Sequence, residues 1–176
     1  PRLDRTGLDS LERSLSAFVS RGDIAGAAIA IHFLDAPTYT YLTGTVGRDR
    51  TAAVSADTRF RIFSMTKPIV SLAALQLVER GVIGLGDPVE KWLPVFRDIR
   101  VVSASGDRTV PASPMTVRDL LRHTSGLTYG FFGRGPVRAA IKASHIRAPG
   151  QTAAEYLRKL ADAGLEHPPG SVWEYS

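Results

Sequence analysis

The sequence predicts an α/β region, an antiparallel sheet with flanking helices, joined to an all-α region. Three observations predict it: an amphipathic helix followed by two strand-like segments, a long apolar helical pattern after them, and two capped helix starts further on. Of the 176 residues, 44% are apolar and 22% charged, which suits a packed core and not a disordered chain.

The elements follow in order. Leu8, Leu11, Leu15, Phe18 and Val19 recur at helical spacing, and Arg21-Gly22 ends the run. Residues 25–33 (AGAAIAIHF) are apolar and partly β-branched, and Asp35-Ala36-Pro37 reads as a turn. Residues 38–45, rich in Thr and Tyr, complete an antiparallel hairpin, and a further short strand is expected over 59–62. The longest helical pattern runs over 64–80. Ile69, Leu72, Leu75 and Val78 share a face, Pro68 falls near the first turn and Gly81 closes the helix. Residues 84–94 read as a loop with a short helix, and 98–114 as turns. Thr116 with Asp119 predicts a capped helix to about His123, broken by Ser125-Gly126. Residues 126–135 form a loop rich in Gly and aromatics. Thr152 with Glu155 predicts a second capped helix, to about Ala163. Pro168-Pro169-Gly170 is a turn, and residues 171–176 are extended.

Composition narrows the function classes. The net charge of +5 comes mostly from scattered Arg, not from one basic face interleaved with aromatics, so no nucleic-acid partner is expected. No apolar run approaches the ~18–20 residues of a membrane span. The opening residues, PRLDRTGLDS, hold no apolar stretch of a secretion signal; Pro1 is not an initiator Met, so a removed leader stays open beside the expected cytoplasmic location. The absence of Cys excludes disulfides and thiolate chemistry within the chain. His32, His145 and His167 lack metal-ligand spacing, so neither a metal nor a cofactor is expected.

One motif carries chemistry: Ser64-Met65-Thr66-Lys67, an S-x-x-K opening the long apolar helix. A Ser hydroxyl needs a base within reach. Residues three apart on a helix face the same way, which puts Lys67 beside Ser64. Loss of solvation at an apolar helix is expected to favour the neutral amine of Lys67, and the helix N-terminus to favour a developing oxyanion at Ser64. By itself the tetrapeptide arises often by chance. There is no G-x-S-x-G, which argues against an α/β-hydrolase.

The stretch FSMTKPIVSLAALQLVERGVIGLGDPVEKWLPVF resembles the nucleophile helix and following segment of the serine β-lactamase-like superfamily, nearest to its family VIII carboxylesterases and class C β-lactamases. LLRHTSGL (120–127) is similar to a phrase of that branch, and PGSVWEYS (169–176) to its second catalytic motif, where a Tyr replaces the Ser of penicillin-binding proteins. The resemblance implies Ser64 as acylated nucleophile, Lys67 as the lysine that assists it, and Tyr175 as the phenol exchanging protons with nucleophile and water. Which of Lys67 and Tyr175 takes the Ser64 proton stays open, because the two titrate as a coupled unit. Tyr129, Phe131, Phe132 and Trp173 are candidates for lining an acyl or alcohol pocket, or for ordinary packing. His123 beside Ser125 reads as packing and loop anchoring, since neighbours at a helix end do not present their side chains to each other.

The resemblance further implies an organisation: residues 1–86 begin the α/β domain with the nucleophile helix, and 87–176 begin the helical domain up to the Tyr motif. The remaining C-terminal strands are expected from the rest of the same protein, a second polypeptide or a continuation beyond Ser176, without which the chain should be inactive and poorly folded. The expected activity is a carboxylesterase on short-chain or aryl esters. A β-lactamase or D-stereospecific peptidase is the alternative, and a non-catalytic scaffold of the same fold a further one. The partner is a small-molecule ester or amide.

Overall fold

The computed structural model describes residues 4–33 and 35–176. The chain divides at Phe63/Ser64 into two compact units. In the first, helix α1 spans Arg5–Ser20, and Asp4 caps it by accepting the N–H groups of Thr6 and Gly7. Strands β1 (Gly26–Ile31) and β2 (Tyr39–Gly44) pair antiparallel, Ile29 opposite Tyr41 and Ile31 opposite Tyr39. The β2 tyrosines fasten α1 to the hairpin: Tyr41 Oη lies 2.6 Å from Ser16 Oγ, and Tyr39 Oη donates to Glu12. The hydrogen bond to Glu12 pushes the Tyr39 phenol up to about 12. The strand expected over 59–62 does not form, because no partner strand lies beside those residues among the described ones.

The second unit begins with a 3₁₀ turn at Phe63–Met65 that leads into α2, Thr66–Glu79. The helix therefore starts two residues later than its pattern predicts. Two further 3₁₀ turns, Val89–Lys91 and Pro94–Phe96, stand where one short helix is expected. Within the turn-rich segment a two-residue ladder pairs β3 (Val101–Val102) with β4 (Arg108–Thr109). Helix α3 (Val117–Arg122) and helix α5 (Ala153–Ala163) each open on the expected capping box. Helix α4 (Pro136–Ala143), which the sequence reading passes over, has Pro in its first turn and buries Val137 and Ile141.

Two apolar clusters hold this unit together. One gathers Val89, Phe96, Ile99, Met115, Leu127 and the fully buried Leu165; the other gathers Val102, Val137, Ile141, Ile146 and Ala163. Backbone bonds from Val102 to Leu165 and from Leu165 to Arg100 tie β3 to the chain leaving α5.

Candidate active site

The corner after α3 explains why the phrases around His123 and Tyr175 occur together. His123 takes the left-handed conformation at φ 58° and stops the helix. From there residues 123–126 accept hydrogen bonds from the C-terminal segment: Glu166 N–H to Gly126 O (2.8 Å), Gly170 N–H to Thr124 O (2.7 Å) and Glu174 N–H to His123 O (2.8 Å). Gly126 is required at φ 84°, where an added Cβ would lie 2.1 Å from the His167 carbonyl oxygen. Each phrase thus supplies the other's backbone partners, and Tyr175 is delivered to its place by that zipper.

Side chains brace the same corner. Burial alone would raise the pKa of Asp119, but bonds from Thr116 and then from the Thr124 hydroxyl (2.9 Å) hold it below the usual carboxylate range. Arg138 on α4 reaches Glu174 Oε1 at 2.6 Å and Glu166 Oε2 at 2.7 Å, and donates to the Phe132 carbonyl. Arg138 is the main cause holding Glu174 below its ordinary pKa, with the Thr128 hydroxyl assisting. One guanidinium therefore joins α4, the aromatic loop and the residue before Tyr175.

At the other side of the site, Ser64 lies in the 3₁₀ turn directly ahead of α2, where the free N–H groups of the first helical turn point. Lys67 Nζ lies 3.5 Å from Ser64 Oγ, donates to Tyr129 Oη at 2.9 Å and sits 4.7 Å from the centroid of the Tyr175 ring. Ser64, Lys67 and Tyr175 are thus brought together. Electrostatically, hydrogen bonding with Ser64 and then with Lys67 lowers the Tyr175 phenol from its ordinary value. Lys67 itself is raised, chiefly by its bond to Tyr129, against a smaller opposing effect of burial. This corrects the expectation of a neutral amine. The Tyr129 and Tyr175 phenols beside the amine favour its charged form by more than its limited burial disfavours it.

The four aromatic candidates gather nearby. The Tyr129 ring lies tilted against Phe131 at 4.8 Å and Tyr175 at 6.0 Å, Phe131 meets Phe132 at 4.3 Å, and Trp173 lies 6.5 Å from Tyr175. Phe131, Phe132 and Trp173 are more than half exposed. Tyr129 and Phe131 also edge a cavity of about 220 Å³ whose floor includes Ile141, Ile146, Tyr156 and Leu160. The sequence gives no sign of the Tyr129–Lys67 bond, because it spans 62 positions and joins a helix to an irregular loop. Ser125 is buried, and its Oγ accepts the Leu127 N–H, so it stands apart from this group. Among the described residues no three His, Asp or Glu side chains cluster as a metal centre needs, and no helix is long and apolar enough to cross a membrane.

Comparison with known proteins identifies the family. Protein Rv1367c of Mycobacterium tuberculosis is 36% identical over 174 residues, a match covering 96% of this chain and 42% of that protein. Esterase EstB of Burkholderia gladioli is 41% identical over 140 residues, covering 78% of this chain and 34% of the esterase. The solved structure of EstCE1, a hydrolase with promiscuous acyltransferase activity, superposes with a TM-score of 0.74 at 29% identity, covering 97% of this chain and 44% of that one. The chain therefore spans less than half the length of these relatives, and its elements match the N-terminal portion of their fold. The profile of the Beta-lactamase family matches residues 8–176, and the chain belongs to that family of serine β-lactamase-like enzymes.

Proposed function

We propose that the whole protein is a serine hydrolase forming an acyl-enzyme on Ser64, and that it acts as a carboxylesterase on short-chain or aryl esters. One observation carries the reading: Lys67 Nζ lies 3.5 Å from Ser64 Oγ and 4.7 Å from the Tyr175 ring centre, so hydroxyl, ammonium and phenol converge. The raised Lys67 amine and the lowered Tyr175 phenol favour the Tyr175 phenolate over a neutral Lys67 as acceptor of the Ser64 proton.

The cycle then balances. The Ser64 proton passes to Tyr175 Oη while Oγ bonds to the carbonyl carbon, and the first turn of α2 favours the oxyanion. The ester C–O bond breaks, and the departing alcohol takes the proton from Tyr175. Water next gives a proton to the phenolate and attacks the acyl group. The bond to Oγ breaks, Ser64 recovers the proton and the acid leaves. The ester preference rests on the Trp173-Glu174-Tyr175-Ser176 ending, which resembles esterase members, and on the esterase and the hydrolase among the relatives.

The test uses the full-length protein with p-nitrophenyl butyrate and nitrocefin. Ester turnover with covalent fluorophosphonate labelling at Ser64 is expected, and Ser64→Ala should remove both, a loss of about 10³-fold or more. Fast nitrocefin turnover without ester hydrolysis would move the assignment to a β-lactamase. A folded protein that neither labels nor turns over would be a scaffold.

A further inference from the structure

His123 holds the residues on both sides of Tyr175, one through its backbone and one through its ring, and its ring packs on the tyrosine itself. Its backbone carbonyl accepts the Glu174 N–H at 2.8 Å, and its ring Nδ1 lies 3.2 Å from the Ser176 backbone nitrogen. Its ring packs on the Tyr175 ring at 4.7 Å and meets the Trp173 edge at 6.0 Å. A backbone N–H can only donate. Nδ1 must therefore be the acceptor, which in the neutral ring puts the proton on Nε2.

We propose that His123 is a positioning residue for Tyr175: its neutral, Nε2-protonated ring clamps the phenol in register with Ser64 and Lys67, and protonation of the ring opens the clamp. The inference rests on the catalytic reading of those three residues given above. A protonated Nδ1 presents a donor to a donor, so the bond to Ser176 is lost and the ring loses its fixed orientation. The surroundings favour the neutral form. Burial first, and then the Lys67 charge, hold the imidazole below its ordinary range. The groups facing it are the Lys67 ammonium on α2 and the Tyr175 phenol on the terminal segment. On its own helix, Asp119 is engaged by Thr116 and Thr124, while Arg122 bears on Asp119. Glu174 is engaged by Arg138 and Thr128, so these two carboxylates already have partners other than the imidazole.

The experiment compares wild type with His123→Asn and His123→Leu in the full-length protein. Asn tolerates the left-handed conformation and offers an amide oxygen near the place of Nδ1, whereas Leu offers none. For p-nitrophenyl butyrate, kcat is expected to fall about 10–100-fold in the Leu variant with KM nearly unchanged, and to recover in the Asn variant. The wild-type rate should fall on the acid side, below the ordinary His value of about 6.5. That limb should vanish in His123→Asn, which does not titrate. Wild-type kcat in a folded His123→Leu protein, or an unchanged acid limb in His123→Asn, overturns the proposal. Ring ¹⁵N shifts give a reading free of substrate and of the Leu variant's folding, with the His123 signal identified by its absence from the Asn variant. An Nε2–H tautomer is expected at neutral pH, and an Nδ1–H tautomer overturns the clamp even where the ester is hydrolysed. Failure of wild type to turn over the ester, with the Nε2–H tautomer present, counts against the esterase reading and not against the clamp.

Discussion

The two stretches that bring the candidate site together are held by opposite means. The corner of residues 116–128 against 165–176 carries its own supports: buried Leu127 and Leu165, the Asp119 capping box, a backbone zipper and the Arg138 ion pairs. Helix α2 has none of these. It buries no residue, and Ile69, Val70 and Leu72 are each about 60% exposed although the helix is apolar on every side. An all-round apolar helix belongs in a core. The tyrosine and histidine side of the site is therefore fixed locally, while the Ser64–Lys67 side rests on helical spacing and on the single Lys67–Tyr129 hydrogen bond.

Two glycines with similar positive φ angles make the sharpest test of that contrast. Gly126 and Gly81 have φ 84° and 68°, but a Cβ on Gly126 meets the His167 carbonyl, while one on Gly81 at the end of α2 meets nothing within 4 Å. Gly126→Ala should cost about 3 kcal/mol or more, from strain and overlap together. Gly81→Ala should cost about 1 kcal/mol, from the left-handed conformation alone. Denaturant midpoints measure both, and equal losses would show that the corner is no stiffer than the helix end.

The next effect in size belongs to Arg138. Its guanidinium is 11% exposed and Glu174 28%, so Arg138→Gln leaves two carboxylates half-buried without their cation. The expected loss is about 2–3 kcal/mol, less than for a fully buried pair because water still reaches Glu174. Because Glu174 precedes Tyr175, activity should fall along with the melting temperature.

What the sequence made legible follows the same division. The capping boxes at Thr116 and Thr152 are short-range chemistry, and both formed as expected. The approach of Ser64 to Lys67 is one helical turn, equally local. Other features depended on distant partners. The strand expected over 59–62 needs a neighbour to bond with, and α4 has a core-facing stripe too short to stand out. The upward shift of Lys67 is hidden in the sequence because its chief cause, Tyr129, lies 62 positions away. The Arg138 cluster was invisible because its carboxylates lie 28 and 36 positions away.

Asp119 gives the corner an acid-side pH signature. Its folded pKa is depressed, so its stabilising contribution is present above the ordinary carboxylate value of about 3.9 and is lost as pH falls through the lower folded value. Asp119→Asn should therefore lower stability at neutral pH and flatten the acid-side decline in thermal melts recorded from neutral to strongly acidic pH. A variant whose decline matches wild type would remove Asp119 as a source of acid sensitivity.

The smallest effect within this chain is expected at Leu72. At about 60% exposure, Leu72→Ala removes little buried area from residues 1–176 and should shift their stability by no more than about 0.5 kcal/mol. In a protein of the relatives' full length the same substitution should cost about 2–5 kcal/mol, the range for a truncated core leucine. Chemical denaturation of both forms decides the matter. A large loss in the short chain would mean that α2 is already covered there, by self-association. A small loss in the long one would mean that the apolar helix stays open, and that Ser64 and Lys67 keep their geometry by helical spacing and the Lys67–Tyr129 bond.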